Sequence, residues 1–195
     1  MNLYPEQVRA LEYLRRKGSE APIERIAGQL SSAFAAIETA LGSVPVEFRA
    51  KRPREGAWCI HEIADHLVIT NKAAVAELCD LIHGRRPQGG PIPASLLSEA
   101  PFSTPWDLLL EQLHGVHKAF LDAFKTGKDD TSVDVHAPIV MVVKVTGDDG
   151  KRKPVAWLDE LDWKAYAQGF RMHTLEHLEQ LKGTLTALGG VNEQS

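Results

Sequence analysis

Four stretches of this chain repeat apolar side chains at the spacing of an amphipathic α-helix, and few single-domain architectures accommodate four of them. Ile23, Ile26, Ala27, Leu30, Phe34, Ile37 and Leu41 form the first stripe. Ser19 and Pro22 are read as its opening, and Gly42 closes it. Trp58 to His83 is the second, with Ile60, Ile63, Leu67, Ala74, Leu78 and Leu81 on one face and Gly84 as its stop. The third runs from Pro105 to Phe124 and carries Trp106, Leu109, Leu110, Leu113, Val116, Phe120 and Phe124. The fourth spans about Asp159 to Leu188, with Trp163, Phe170, Leu178, Leu181 and Leu185 inward and Gly189-Gly190 at its end. This pattern predicts an all-α protein, an antiparallel four-helix bundle.

The segments between the stripes add detail. Pro5 to Lys17 reads as an extra N-terminal helix on Val8, Leu11 and Leu14, ended by Gly18. Val44 to Gly56 reads as a loop. Gly84 to Pro105 is a long irregular connection, rich in proline and glycine, that is either a lid or a crossover between bundle ends. Ile139 to Thr146 is dense in β-branched residues, Gly147-Asp148-Asp149-Gly150 supplies a turn, and Lys153 to Trp157 can return as a second strand. The expectation is a small β-hairpin insertion around 139–157. Residues 1–195 then form one domain, with a core bundle of about 20–188.

A net charge of −4 and a pI near 6.1 give no reason to expect nucleic acid or an anionic membrane as partner. The N-terminus mixes Glu6, Arg9, Glu12, Arg15, Arg16 and Lys17 with scattered apolar residues, so neither a signal peptide nor a membrane span is expected there. Cys59 and Cys79, the two cysteines, would lie roughly 30 Å apart on one helix, since a helix rises about 1.5 Å per residue. A disulfide needs Cα atoms within about 7 Å. The expected location is therefore a reducing, cytoplasmic compartment.

Eight histidines raise the question of chemistry: His61, His66, His83, His114, His117, His136, His173 and His177. His173 and His177 are one helical turn apart, and two imidazoles so placed can share one metal ion. Histidines at this spacing also occur on ordinary helix surfaces and in cores, so a third ligand is needed. On the second stripe only His66 flanks the apolar face, whereas His61 points to the polar back. Three neutral imidazoles with an open position is the pattern of a catalytic metal site, because structural sites usually have four protein ligands. Zinc and nickel suit imidazole well. Thr174 follows His173, so the HExxH signature of zinc proteases is absent.

Trp58-Cys59-Ile60-His61-Glu62-Ile63-Ala64-Asp65-His66-Leu67, followed by His173-Thr174-Leu175-Glu176-His177-Leu178-Glu179-Gln180, resembles the DinB/YfiT-like family. The approach from Arg52-Pro53 to Trp58 is similar too, and the resemblance covers about Pro22 to Leu188. It implies a four-helix bundle, often a homodimer, that binds a divalent metal through His66, His173 and His177. It also implies a small-molecule substrate, since some members are S-transferases or isomerases using a low-molecular-weight thiol (bacillithiol, mycothiol or glutathione). Two departures stand out: Cys59 replaces the usual Ser or Thr, and segment 128–157 is longer than a minimal member needs.

A metal lowers the pKa of a bound water or thiol, so thiol S-transfer suits the site. Hydrolysis by bound hydroxide is the alternative, and a non-catalytic stress-related protein using metal for structure or ligand capture is another. Glu62 is either a base near the metal or a carboxylate favoured at a helix start. Tyr166 and Gln180, on the last helix, are substrate donors or plain wall residues. His117 reads as a hydrogen-bonded core histidine and His114 as a partly exposed neighbour. His61 and Asp65 read as solvent-facing, and Cys59 as capping or packing rather than a reactive thiol.

Overall fold

The computed structural model describes residues 3–147 and 150–189. Helix α1 spans Pro5–Leu14 and runs into a π-turn at Arg15–Ser19. Then come α2 (Ile23–Gly42), a short α3 (Val46–Arg49), α4 (Ile60–Ile82) and α5 (Trp106–Phe124). Strands β1 (Ala137–Thr146) and β2 (Arg152–Leu161) precede α6 (Trp163–Ala187). The four long helices are α2, α4, α5 and α6. Helix α2 touches α5 and α6, and α4 touches the same two, so α2 and α4 lie diagonally across the bundle.

The apolar stripes explain this packing. Ile26, Leu30, Phe34, Ile37 and Leu41 are buried along α2, and Trp106, Leu109, Leu113, Phe120 and Phe124 along α5. The core divides into two apolar clusters. One gathers Phe34, Phe120, Phe124, Trp163 and Phe170; the other gathers Ile37, Ile63, Leu67, Leu113 and Leu178. Polar residues stand in sequence where the clusters part: Asn71 on α4, His117 on α5, and His173 with His177 on α6.

Several boundaries differ from the sequence reading. Gly18 does not stop the first helix; the chain continues through the π-turn. Its role is close approach, because a Cβ there would sit 2.6 Å from the Ala165 Cα of α6. Ser19 is not the cap of α2, which starts after Pro22, and its hydroxyl instead donates to the Asp162 carboxylate. The expected loop 44–56 contains the one-turn α3. Trp58 lies outside α4, whose N-cap is Cys59. The last helix begins at Trp163, not at Asp159, because β2 persists to Leu161. Asp162 then caps it, its carboxylate accepting from the backbone N–H groups of Lys164 at 2.9 Å and Ala165 at 3.1 Å.

The hairpin is longer than read from its β-branched run. Its strands pair antiparallel from Ala137 opposite Leu161 to Thr146 opposite Arg152. Asp148 and Asp149 of the expected turn, and Gly190 of the expected terminator, lie outside the described residues. The hairpin packs on α1 and α6. Both cysteines are free. No helix among the described residues is long and apolar enough to cross a membrane.

Candidate metal centre

The first turn of α4 is held firmly. The Glu62 carboxylate accepts from the Cys59 backbone N–H at 2.9 Å and pairs with Arg52 at 2.5 Å. Burial alone would raise its pKa, but these bonds outweigh it and hold Glu62 below the ordinary carboxylate range. Glu62 is thus occupied at the helix start. Burial pushes the Cys59 thiol up, the opposite of thiolate activation.

The segment 84–105 folds back over this part of α4. Ser98 donates from its backbone N–H and its hydroxyl to the two Asp65 oxygens, each at 2.8 Å. Phe102 and Trp106 pack against the His61 ring. His61 and Asp65 are therefore buried rather than solvent-facing. The same segment brings the Leu96 carbonyl to 2.6 Å from His66 Nδ1.

His66 from α4 meets His173 and His177 from α6. The His66 and His173 Nε2 atoms are 2.9 Å apart, and those of His177 and His173 are 3.0 Å apart. His177 Nδ1 lies 2.8 Å from Gln180 Oε1. Trp58 stacks near-parallel to the His177 ring and tilts over His66. The Phe170 ring borders His173.

The tautomers follow from these contacts. A backbone carbonyl only accepts, so neutral His66 carries its proton on Nδ1. Gln180 Oε1 imposes the same on His177. Both Nε2 atoms then present lone pairs to the His173 Nε2. One proton on His173 can satisfy only part of this, and its buried Nδ1 has no partner among the described residues. Three converging nitrogens with that surplus of lone pairs fit a cation. Nitrogens on a tetrahedral zinc at about 2.0–2.1 Å stand roughly 3.3 Å apart, so the two separations to His173 would open by only a few tenths of an ångström, and all three ligand atoms already lie within 4.8 Å of one another.

The electrostatics agree. Burial, then the His66 charge, pushes His177 down to about 4. Burial, then His177 and His66, holds His173 well below its ordinary value. Burial lowers His66, with the Leu96 carbonyl and Asp65 partly opposing. All three are neutral near pH 7, the state in which imidazole binds metal.

The cluster borders a cavity of about 730 Å³. Its walls come from α4, α6, the 84–105 segment at Ile92–Ala94 and strand β1 at Pro138–Val142.

Two solved structures share this architecture. YfiT from Bacillus subtilis, described as "a probable metal-dependent hydrolase with an unusual four-helix bundle topology", has a TM-score of 0.62 and 11% identity, covering 87% of this chain and 89% of its own. TT2238, a four-helix bundle protein, has a TM-score of 0.56 and 13% identity, covering 83% of this chain and 98% of its own. The fold is DinB/YfiT-like. No protein-family model and no curated protein matches the sequence. Within this DinB/YfiT-like bundle the extra N-terminal helix and the hairpin are present as expected.

Other histidines do not join the cluster. His117 is buried, stacked on Phe34 with centroids 3.9 Å apart, and bonded to Glu38 and Asn71. His114 reaches the other Glu38 oxygen at 2.9 Å from an exposed position. Two features escaped the sequence reading: the Leu96 carbonyl and a Glu77–Tyr166 pair in the cavity. Glu77 follows His66 by eleven residues and Tyr166 precedes His173 by seven, and both spacings return to nearly the same helix face. That periodicity was the available signal for the pair.

Proposed function

We propose that the protein is a divalent-metal-dependent enzyme whose ion is held by His66, His173 and His177. The supporting observation is the convergence of their three Nε2 atoms at the wall of a large cavity. Zinc and nickel are the cations that best match three imidazoles. A bound cation would supply Lewis acidity, lowering the pKa of a water or thiol at its open position.

The chain's own residues do the rest. Leu96 and Gln180 fix the two outer imidazoles in the ligand tautomer. Trp58 and Phe170 shield the cluster with apolar surface. The cavity admits a small molecule and restricts its approach to the open side. The family resemblance favours a low-molecular-weight thiol as nucleophile and S-transfer as reaction. The fold shared with YfiT favours water and hydrolysis, the second reading. A homodimer in a reducing cytoplasm completes the proposal, in keeping with two free cysteines.

Elemental analysis of purified protein tests the site: about one zinc or nickel per chain is expected in the parent and none in His173→Ala. Equal metal in both would remove His173 as a ligand. A panel of thiols against a chloro-aromatic acceptor, run beside simple esters and amides, separates transfer from hydrolysis. Turnover that needs a thiol supports the first reading, and turnover in buffer alone the second.

A further inference from the structure

The cavity has a second polar end that the histidine chemistry does not use. Glu77 lies eleven residues beyond His66 on α4, about 16 Å along the axis, and Tyr166 lies seven residues before His173 on α6, about 10 Å. Both line the cavity. The buried Tyr166 hydroxyl donates to Glu77 Oε2.

That bond uses the only proton the pair offers while Glu77 is ionised. What remains toward the cavity is acceptor capacity: the second carboxylate oxygen and the tyrosine lone pairs. Among the described residues no lysine, arginine or histidine pairs with Glu77, and Tyr166 is its one hydrogen-bond partner. A half-buried carboxylate without a cation is costly unless something compensates it. Of the other charged lining residues, Glu179 is paired with Lys182 at 2.9 Å and Glu176 stands against Lys144, which leaves Glu77 as the charge away from the exposed rim without a cation. Between the two ends the walls are apolar, with Ile92, Ile139, Met141, Phe170 and Met172.

We propose that Glu77 and Tyr166 form a recognition subsite for an ammonium group, so that the substrate is an amine-bearing molecule with an apolar middle and its reacting end at the histidines. The proposal deepens the metal-dependent reading and rests on it for the reacting end only. The Glu77 carboxylate supplies charge and one acceptor, while Tyr166 orients that carboxylate and offers a second. A purely structural pair, holding α4 to α6, would show no preference for ligand charge.

Two calorimetric titrations separate these outcomes. In the first, metal-free protein is titrated with hexylammonium and with hexanol. The parent is expected to bind the ammonium about tenfold or more tightly than the alcohol, as a charge-assisted hydrogen bond implies. Glu77→Gln, which can still accept from Tyr166, should lose that preference, whereas Tyr166→Phe should keep part of it. No preference in the parent, or an equal preference in Glu77→Gln, overturns the subsite. In the second, zinc-loaded protein is titrated with an eight-carbon ω-amino hydroxamic acid and its ω-methyl counterpart. The amino form should bind more tightly by a similar factor, and an equal affinity for both probes overturns the subsite as a substrate anchor. If neither hydroxamate binds while the first titration succeeds, the metal reading fails and the ammonium subsite stands.

Discussion

Two groups of histidines sit midway along the bundle, and they are satisfied in opposite ways. His117 and His114 share a carboxylate, Glu38, and His117 also meets Asn71 and lies flat on Phe34. Among the described residues no carboxylate bonds a ring nitrogen of His66, His173 or His177, and these turn their Nε2 atoms on one another. The first group is complete within the protein and holds α2 against α5 and α4. The second turns more ring acceptors toward one another than it has protons to share between them. Burial alone does not separate His117 from the cluster, since both lie in the interior while His114 is exposed; the orientation of their acceptors does.

The sharpest break of this contrast is a pair of alanine variants. His173→Ala should abolish divalent-metal uptake by elemental analysis, while His117→Ala should retain it. His117→Ala should instead lose about 3 kcal/mol of stability in urea denaturation, from an emptied ring site and two broken hydrogen bonds. Metal loss in both variants would erase the distinction.

Acid should act next most strongly, and on the metal-free protein. His177 has a folded pKa of about 4 against an ordinary 6.5, so the unfolded chain takes up its proton first as pH falls. Stability is complete above pH 6.5 and declines between about 6.5 and 4, by about 3 kcal/mol from this group. Thermal melts across that range measure the slope. Saturating zinc should displace the decline to lower pH, and an unchanged profile would argue against binding through these rings.

Gln180→Ala removes the acceptor that sets the His177 tautomer. Metal affinity should fall about 10- to 100-fold in a competitive chelator titration, with little change in melting temperature. The smallest effect is expected from Ser98→Ala, which frees one of two bonds to Asp65 at a cost of about 1 kcal/mol. Because this variant loosens the segment that carries Leu96, a modest drop in zinc affinity should accompany it.

The bundle was legible because its signal is periodic. Stripes such as Ile26–Leu30–Phe34–Ile37–Leu41 admit one helical reading, and the fold follows once four of them are counted. The histidine cluster was legible for the same reason, since His66 flanks the stripe of its helix and His173 and His177 repeat at one turn. Failures came where a second segment intervenes. The pattern alone puts His61 and Asp65 on a wet face, because the back of an amphipathic helix normally meets water. Here the 84–105 segment covers that back through Ser98 and Phe102. The Leu96 carbonyl could not be foreseen, because every residue has one and only the tertiary path selects it. The start of α6 was misplaced because Asp159 and Asp162 are equally good caps in isolation, and strand pairing through Leu161 decides between them.

The hairpin divides labour within the molecule. It reaches the bundle through α1 and α6, yet Pro138 to Val142 and Lys144 form one side of the chamber. No imidazole of the cluster sits on it. Exchange of those ribbon side chains would reshape the chamber while leaving the histidine nest intact, so what the chamber admits can change without rebuilding the cluster.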